Sequence, residues 1–107
     1  MHQDQRGRAG RKDLMVCRQV YDALTFALAE IDDPLIDDLV LARVLPAPNA
    51  TRVLVILVPS REIDSDEALE RLAEFEIDFR EEVAAEVSRR FVPELVFRIG
   101  TSSDMPS

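Results

Sequence analysis

Acidic pairs are the groups in this chain best suited to moving protons or holding a metal. Asp32-Asp33, Asp37-Asp38 and Glu81-Glu82 are each adjacent in sequence. Two carboxylates work as general acid and base only when both reach one substrate. Glu81 and Glu82 fall in a helical pattern, where consecutive side chains do not face each other. The four aspartates lack the D-x-D-x-D-G-x5-E order of a calcium loop and read as turn and loop acids. The one histidine, His2, lies in an apolar-poor N-terminal stretch, and the one cysteine, Cys17, lies on the apolar stripe of a helix. These positions argue against a Ser-His-Asp or Cys-His pair and against a histidine metal site, and a single cysteine rules out a disulfide framework and a cysteine-based zinc site. Cys17 reads as a buried thiol. The three glycines are Gly7, Gly10 and Gly100. With none between 11 and 99 there is no P-loop, no GxGxxG turn and no GxxG loop of the usual KH type. No catalytic residue and no metal ligand is predicted, and the chain reads as a non-enzyme.

The cations carry more information. The net charge is −8, but residues 1–18 hold Arg6, Arg8, Arg11, Lys12 and Arg18 against Asp4 and Asp13, which is +3. The remainder carries 8 arginines against 19 acids. An acidic body argues against non-specific polyanion binding, while the basic end has the chemistry to contact phosphate. It reads equally well as a solvated tail.

The elements that would position these groups follow from periodicity. At 107 residues the chain is one domain. Residues 1–10 read as a flexible basic tail, 11–99 as the folded domain and 100–107 as a polar, frayed end. Leu14, Cys17, Val20 with Tyr21, Leu24, Ala27 with Leu28, and Ile31 make a helical stripe over about residues 12–31. Pro34 ends it. Residues 39–45 and 52–58 are apolar, β-branched runs flanking a Pro-Ala-Pro-Asn turn, and predict a hairpin. The second run is apolar at nearly every position, as in a central strand covered on both faces. Asp64 or Ser65 caps a helical region over about 66–91, and Asp64 with Glu67 has capping-box spacing. Its apolar phase slips, because Ile77 lies off the stripe of Phe75, Phe79, Val83 and Val87. Phe75, Glu76 and Ile77 therefore mark a kink junction between two helices, extending to Asp78; one unbroken helix with Ile77 exposed is the other reading. Pro93 makes a corner, and Leu95, Phe97 and Ile99 alternate as a strand. The fold class is α+β, ordered α-β-β-α-α-β, with helices on one face of a small three-stranded mixed sheet and a parallel pairing made by the long crossover. No apolar run approaches a membrane span and no signal-peptide hydrophobic region is present, so a cytoplasmic protein without membrane contact is expected.

This order is that of a type II KH domain, and three segments resemble the ribosome-binding factor A family. They are Asp33-Pro34-Leu35 after the first helix, the hairpin, and DFREEVAAEVSRRFVPELVFRI. Phe79, Arg80, Glu82 and Val83 stand where that family has Leu-Arg-x-Glu-Leu. Phe91, Val92, Pro93, Glu94, Leu95 and Phe97 match its Tyr-Val-Pro-Glu-Leu-x-Phe segment. The resemblance covers roughly residues 11–99. It implies a KH-like monomer that binds the immature small ribosomal subunit and its rRNA late in assembly, with no cofactor. The family keeps Ala-x-Gly at its RNA-facing kink; here Phe75-Glu76-Ile77 stands there. The candidate RNA contacts are Arg80, Arg89, Arg90, Arg11, Lys12 and Arg18, because guanidinium forks match phosphate oxygens. Pairing of Glu86 with Arg89 or Arg90 is the competing reading of those two. A KH-like module that binds protein and has lost direct RNA binding is the alternative, on the acidic body and the missing kink glycine.

Overall fold

The computed structural model describes residues 10–49, 51–87 and 92–106. The tail assigned to the first residues lies outside that range, apart from Gly10. Helix α1 spans Arg11–Glu30 and buries Val16, Cys17, Val20, Ala23, Leu24 and Ala27. Leu14, expected on this seam, is 56% exposed, because Val16 and Ala23 take the inner positions and rotate the seam away from it. Asp13 reaches back to the Gly10 N–H at 3.2 Å and closes the first turn.

The Asp33-Pro34 corner, read as a turn, is a short helix, α2, over Pro34–Asp37. Asp33 caps it: one carboxylate oxygen accepts the Leu35 N–H at 2.9 Å and the Ile36 N–H at 3.1 Å. Proline suits the first helical position because its missing N–H would have no partner there.

Strands β1 (Leu39–Pro46) and β2 (Arg52–Pro59) form the expected antiparallel hairpin. The register shifts between Leu41 and Arg43, leaving Ala42 as a bulge. Helices α3 (Ser65–Glu74) and α4 (Glu76–Glu86) follow, with Asp64 accepting the N–H groups of Asp66 and Glu67 as the cap of α3. Strand β3 (Glu94–Ile99) then pairs parallel to β2, giving the strand order β1-β2-β3. The mixed sheet with its α-β-β-α-α-β order is as expected. The helical region is shorter than the 66–91 reading, because Val87 is already extended at φ −93°, ψ 105°. Residues 88–91 lie outside the described range.

Val53, Val55 and Leu57 of β2 meet the α1 seam, Ala68 and Leu72 of α3, and Phe79, Val83 and Val87 of the α4 segment. Phe79 is fully buried and tilts against Phe97 of β3, with ring centroids 5.5 Å apart. Full burial of such a side chain contributes about 1.5–3 kcal/mol. Cys17 is buried in this core at 5% exposure. Burial, aided by the nearby Asp13 carboxylate, pushes its thiol up to about 11.

Ala42, Ile56 and Val58 form a second, smaller cluster on the opposite face of the sheet, with Leu54 beside it. That accounts for the near-continuous apolar run of β2. Part of the cover comes from residues 100–106, which do not fray as expected. Ser102–Asp104 form a 3-10 turn, and Gly100 donates its N–H to the Leu57 carbonyl at 2.8 Å. Arg43 Nε donates to the Asp104 carbonyl at 2.9 Å, and Arg98 lies 3.5 Å from the Asp104 carboxylate. No described helix is long and apolar enough to cross a membrane.

Candidate nucleic-acid interface

The junction between α3 and α4 is a single residue, Phe75, narrower than the four-residue junction expected. Its backbone sits at φ −107°, ψ 18°. Its N–H closes α3 on the Leu72 carbonyl at 3.1 Å, and its carbonyl accepts the Phe79 N–H at 3.1 Å to open α4. No described non-glycine residue has positive φ. The break therefore needs no glycine, and Phe75 sets it by turning its half-buried ring inward. Glu76 is exposed and Ile77 is 72% exposed, so the phase slip marks a real break that leaves Ile77 in water.

Beside this junction lies an open cavity of about 370 Å³, where the last turn of α1 meets the start of α4. Phe75 contributes to its wall, and Glu30, Asp32, Asp78, Glu81 and Glu82 surround it. Five carboxylates at one opening make a negative field that repels phosphate. Among the described residues no group of three or more His, Cys, Asp or Glu has the geometry to hold a metal ion.

The candidate cations are not brought into one patch. Arg11, Lys12 and Arg18 are exposed at the start of α1. α1 packs along α4 with its C-terminal end at the acidic cavity, so its first turn is roughly 25 Å away along the helix axis. Arg80 is exposed on α4, within the acidic end. No ion pair among the described residues engages Arg11, Lys12, Arg18 or Arg80. Arg89 and Arg90 lie outside the described residues. Leu14 and Met15 are 56% and 58% exposed between the α1 cations, so this end of the helix is basic and apolar together.

Two polar clusters escape the sequence reading. Asp33, besides capping α2, accepts Arg71 of α3 at 2.6 Å. Desolvation pushes its carboxyl up, but the Ile36 N–H, the Arg71 guanidinium and the Leu35 N–H outweigh this and hold it below the usual carboxylate range. The Arg71 guanidinium is raised in turn, first by that hydrogen bond. The Asp-Pro dipeptide is an available signal for the cap; nothing in the sequence points to Arg71. The second cluster joins Asp104 to Arg43 and Arg98, and no local pattern announces it.

The fold is that of ribosome-binding factor A. The crystal structure of that protein from Thermus thermophilus superposes with a TM-score of 0.70 at 23% identity, over 81% of this chain and 93% of that one. No protein-family model matches the sequence, and no curated protein matches it.

Proposed function

We propose that this chain is a non-catalytic assembly factor that binds the immature small ribosomal subunit and its rRNA during late maturation, acting as a monomer in the cytoplasm. The observation that carries the reading is the shared fold with a protein named for binding the ribosome, at a TM-score of 0.70 and over 93% of that protein. The VPELVF segment at the start of β3 supports it from the sequence side. The contacts are electrostatic and come from the basic end. Arg11, Lys12 and Arg18 project from the start of α1 without ion-pair partners among the described residues, and Arg89 and Arg90 belong with them by chemistry. Arg80 contributes less, because it shares its end of α4 with the carboxylates of the cavity.

Sedimentation of the protein with ribosomal particles from its own cell tests this. The expected result is co-migration with free small subunits and not with full ribosomes. The three cations of α1 contribute about −2 to the slope of log affinity against log salt, and Arg11→Glu, Lys12→Glu and Arg18→Glu together remove that share. No association with rRNA or subunits at low salt overturns the reading.

A second reading is favoured by one observation, the acidic cavity beside the kink. In it the chain is a KH-like module that binds protein and has lost direct RNA binding. Small-subunit association that does not change with salt, and survives the triple substitution, supports this module instead.

A further inference from the structure

The sheet face turned away from the helices has a layout that the ribosomal reading does not use. Leu45, Leu54 and Val96 lie directly opposite one another on β1, β2 and β3. Strand alternation places all three on the face away from the main core, and Val96 is absent from that core. Leu45 is 38% exposed, while Leu54 and Val96 are half-buried. The next row on the same face is Arg43, Ile56 and Arg98, again in register. The row on the other side holds Arg52 and Glu94. An aliphatic strip thus runs across the sheet beside a row that carries an arginine on each outer strand. Three arginines against Glu94 and Asp104 invert the charge balance of the surrounding acidic chain.

The chain itself shows what this face accepts. Its own residues 101–106 turn back so that the Asp104 carboxylate approaches Arg98 and the Asp104 carbonyl takes Arg43 Nε. The carboxylate contact is long and half in water, so it is weak and open to competition. A nucleic acid fits the face poorly. Sheet surfaces that bind single strands stack bases on aromatic rings. The aromatic residue described on β3, Phe97, points the other way, against Phe79. Among the described residues the strands present aliphatic side chains, arginines and Glu94 on this face, and no aromatic ring.

We propose that the open face of the sheet, centred on Leu45, Leu54 and Val96 and bordered by Arg43 and Arg98, docks an acidic, aliphatic-bearing segment of a partner protein. Carboxylates of that segment take the two arginines in place of Asp104, and its aliphatic side chains cover the strip. This surface is separate from the basic end of α1, so it stands whether or not the ribosomal reading holds.

The test uses the full chain with isotope-labelled methyl groups. The probe is a short fluorescent peptide of alternating glutamate and leucine, with a lysine–leucine peptide and a single-stranded RNA as comparators. The acidic peptide is expected to shift the methyl resonances of Leu45, Leu54 and Val96. Asp104→Ala is expected to tighten its binding several-fold, because it frees Arg98 and removes the carboxylate that closes the 3-10 turn beside Arg43. Arg43→Ala with Arg98→Ala is expected to weaken it roughly tenfold, the loss of two partly exposed charge pairs. Mapping the methyl groups in the unaltered protein keeps the test valid if a variant unfolds. Unmoved methyl groups, equal binding of the lysine peptide, or displacement by RNA at these same methyl groups each overturns the proposal.

Discussion

Gly100→Ala gives a decisive reading of whether the C-terminal segment is folded onto the sheet. A Cβ added at Gly100 would overlap the Asp104 carboxylate and stand 2.8 Å from Cγ2 of Ile56. Ile56 is 1% exposed in the central strand and has no free direction in which to move. The carboxylate must therefore yield, giving up the Thr101 N–H that it accepts at 2.9 Å and its approach to Arg98. Overpacking of this kind costs about 1–3 kcal/mol. For a domain of this size each kcal/mol lowers Tm by about 4–8 °C, so a fall of roughly 4–24 °C is expected by circular dichroism. The alternative gives a different result. Were residues 100–106 frayed in solution, the same substitution would restrict the folded and unfolded chains alike and leave Tm nearly unchanged. An unchanged or raised Tm refutes the docked segment, and with it the placement of Asp104 over Arg43 and Arg98.

Two further outcomes follow from buried ionisable groups. Asp33 has a depressed folded pKa, so its contribution to stability is present above the ordinary carboxyl value near ~4 and is lost as pH falls through the lower folded value. Asp33→Asn is expected to lower Tm by several degrees at neutral pH and to flatten acid unfolding below pH ~4; an unchanged acid limb rules out the role given to Arg71. Cys17 behaves in the opposite sense. Its folded thiol titrates near 11 against an ordinary value of ~8.5, so stability holds below pH ~8.5 and falls by at most about 3 kcal/mol as pH rises to ~11. Urea unfolding of the native chain and of Cys17→Ala across that range checks it: the two should differ by a constant amount below pH ~8.5 and converge above it.

Much of the architecture was legible because it depends on periods and breakers. The β2 run, the Asp64 cap and the face of Phe79, Val83 and Val87 all lie within one local pattern, and the structure keeps each. What was not legible depends on contacts between distant residues. Leu14 satisfies helical spacing, but a rotation of one seam position leaves it in water. The 3-10 turn over Ser102–Asp104 has a polar, tail-like composition, and Arg43, 61 residues earlier, joins Arg98 in giving it a place to dock. The kink is similar. A slip of phase located it within four residues, but the choice of Phe75 depends on its packing against the main core. For the site, sequence identified the cations but not their separation along α1 and α4. The acidic cavity is assembled from two helices nearly fifty residues apart and has no local signature.

The parallel pairing of β2 with β3 also sets an order on how the molecule can come together. Pro46 and Val53, the innermost pair of the hairpin, are 7 residues apart, whereas Arg52 and Glu94 are 42 apart. That sixfold difference makes closure of the second pairing about 1.6 kcal/mol more costly in chain entropy. α1 and the hairpin lie first in the chain and can associate while the crossover is still being synthesised. Until Glu94–Ile99 has emerged, however, one long side of the most apolar strand has its N–H and C=O groups unpaired. Such an edge is a template for other strands. A nascent chain stalled before residue 94 is therefore the form of this protein most exposed to self-association, and completion of the last strand removes the hazard.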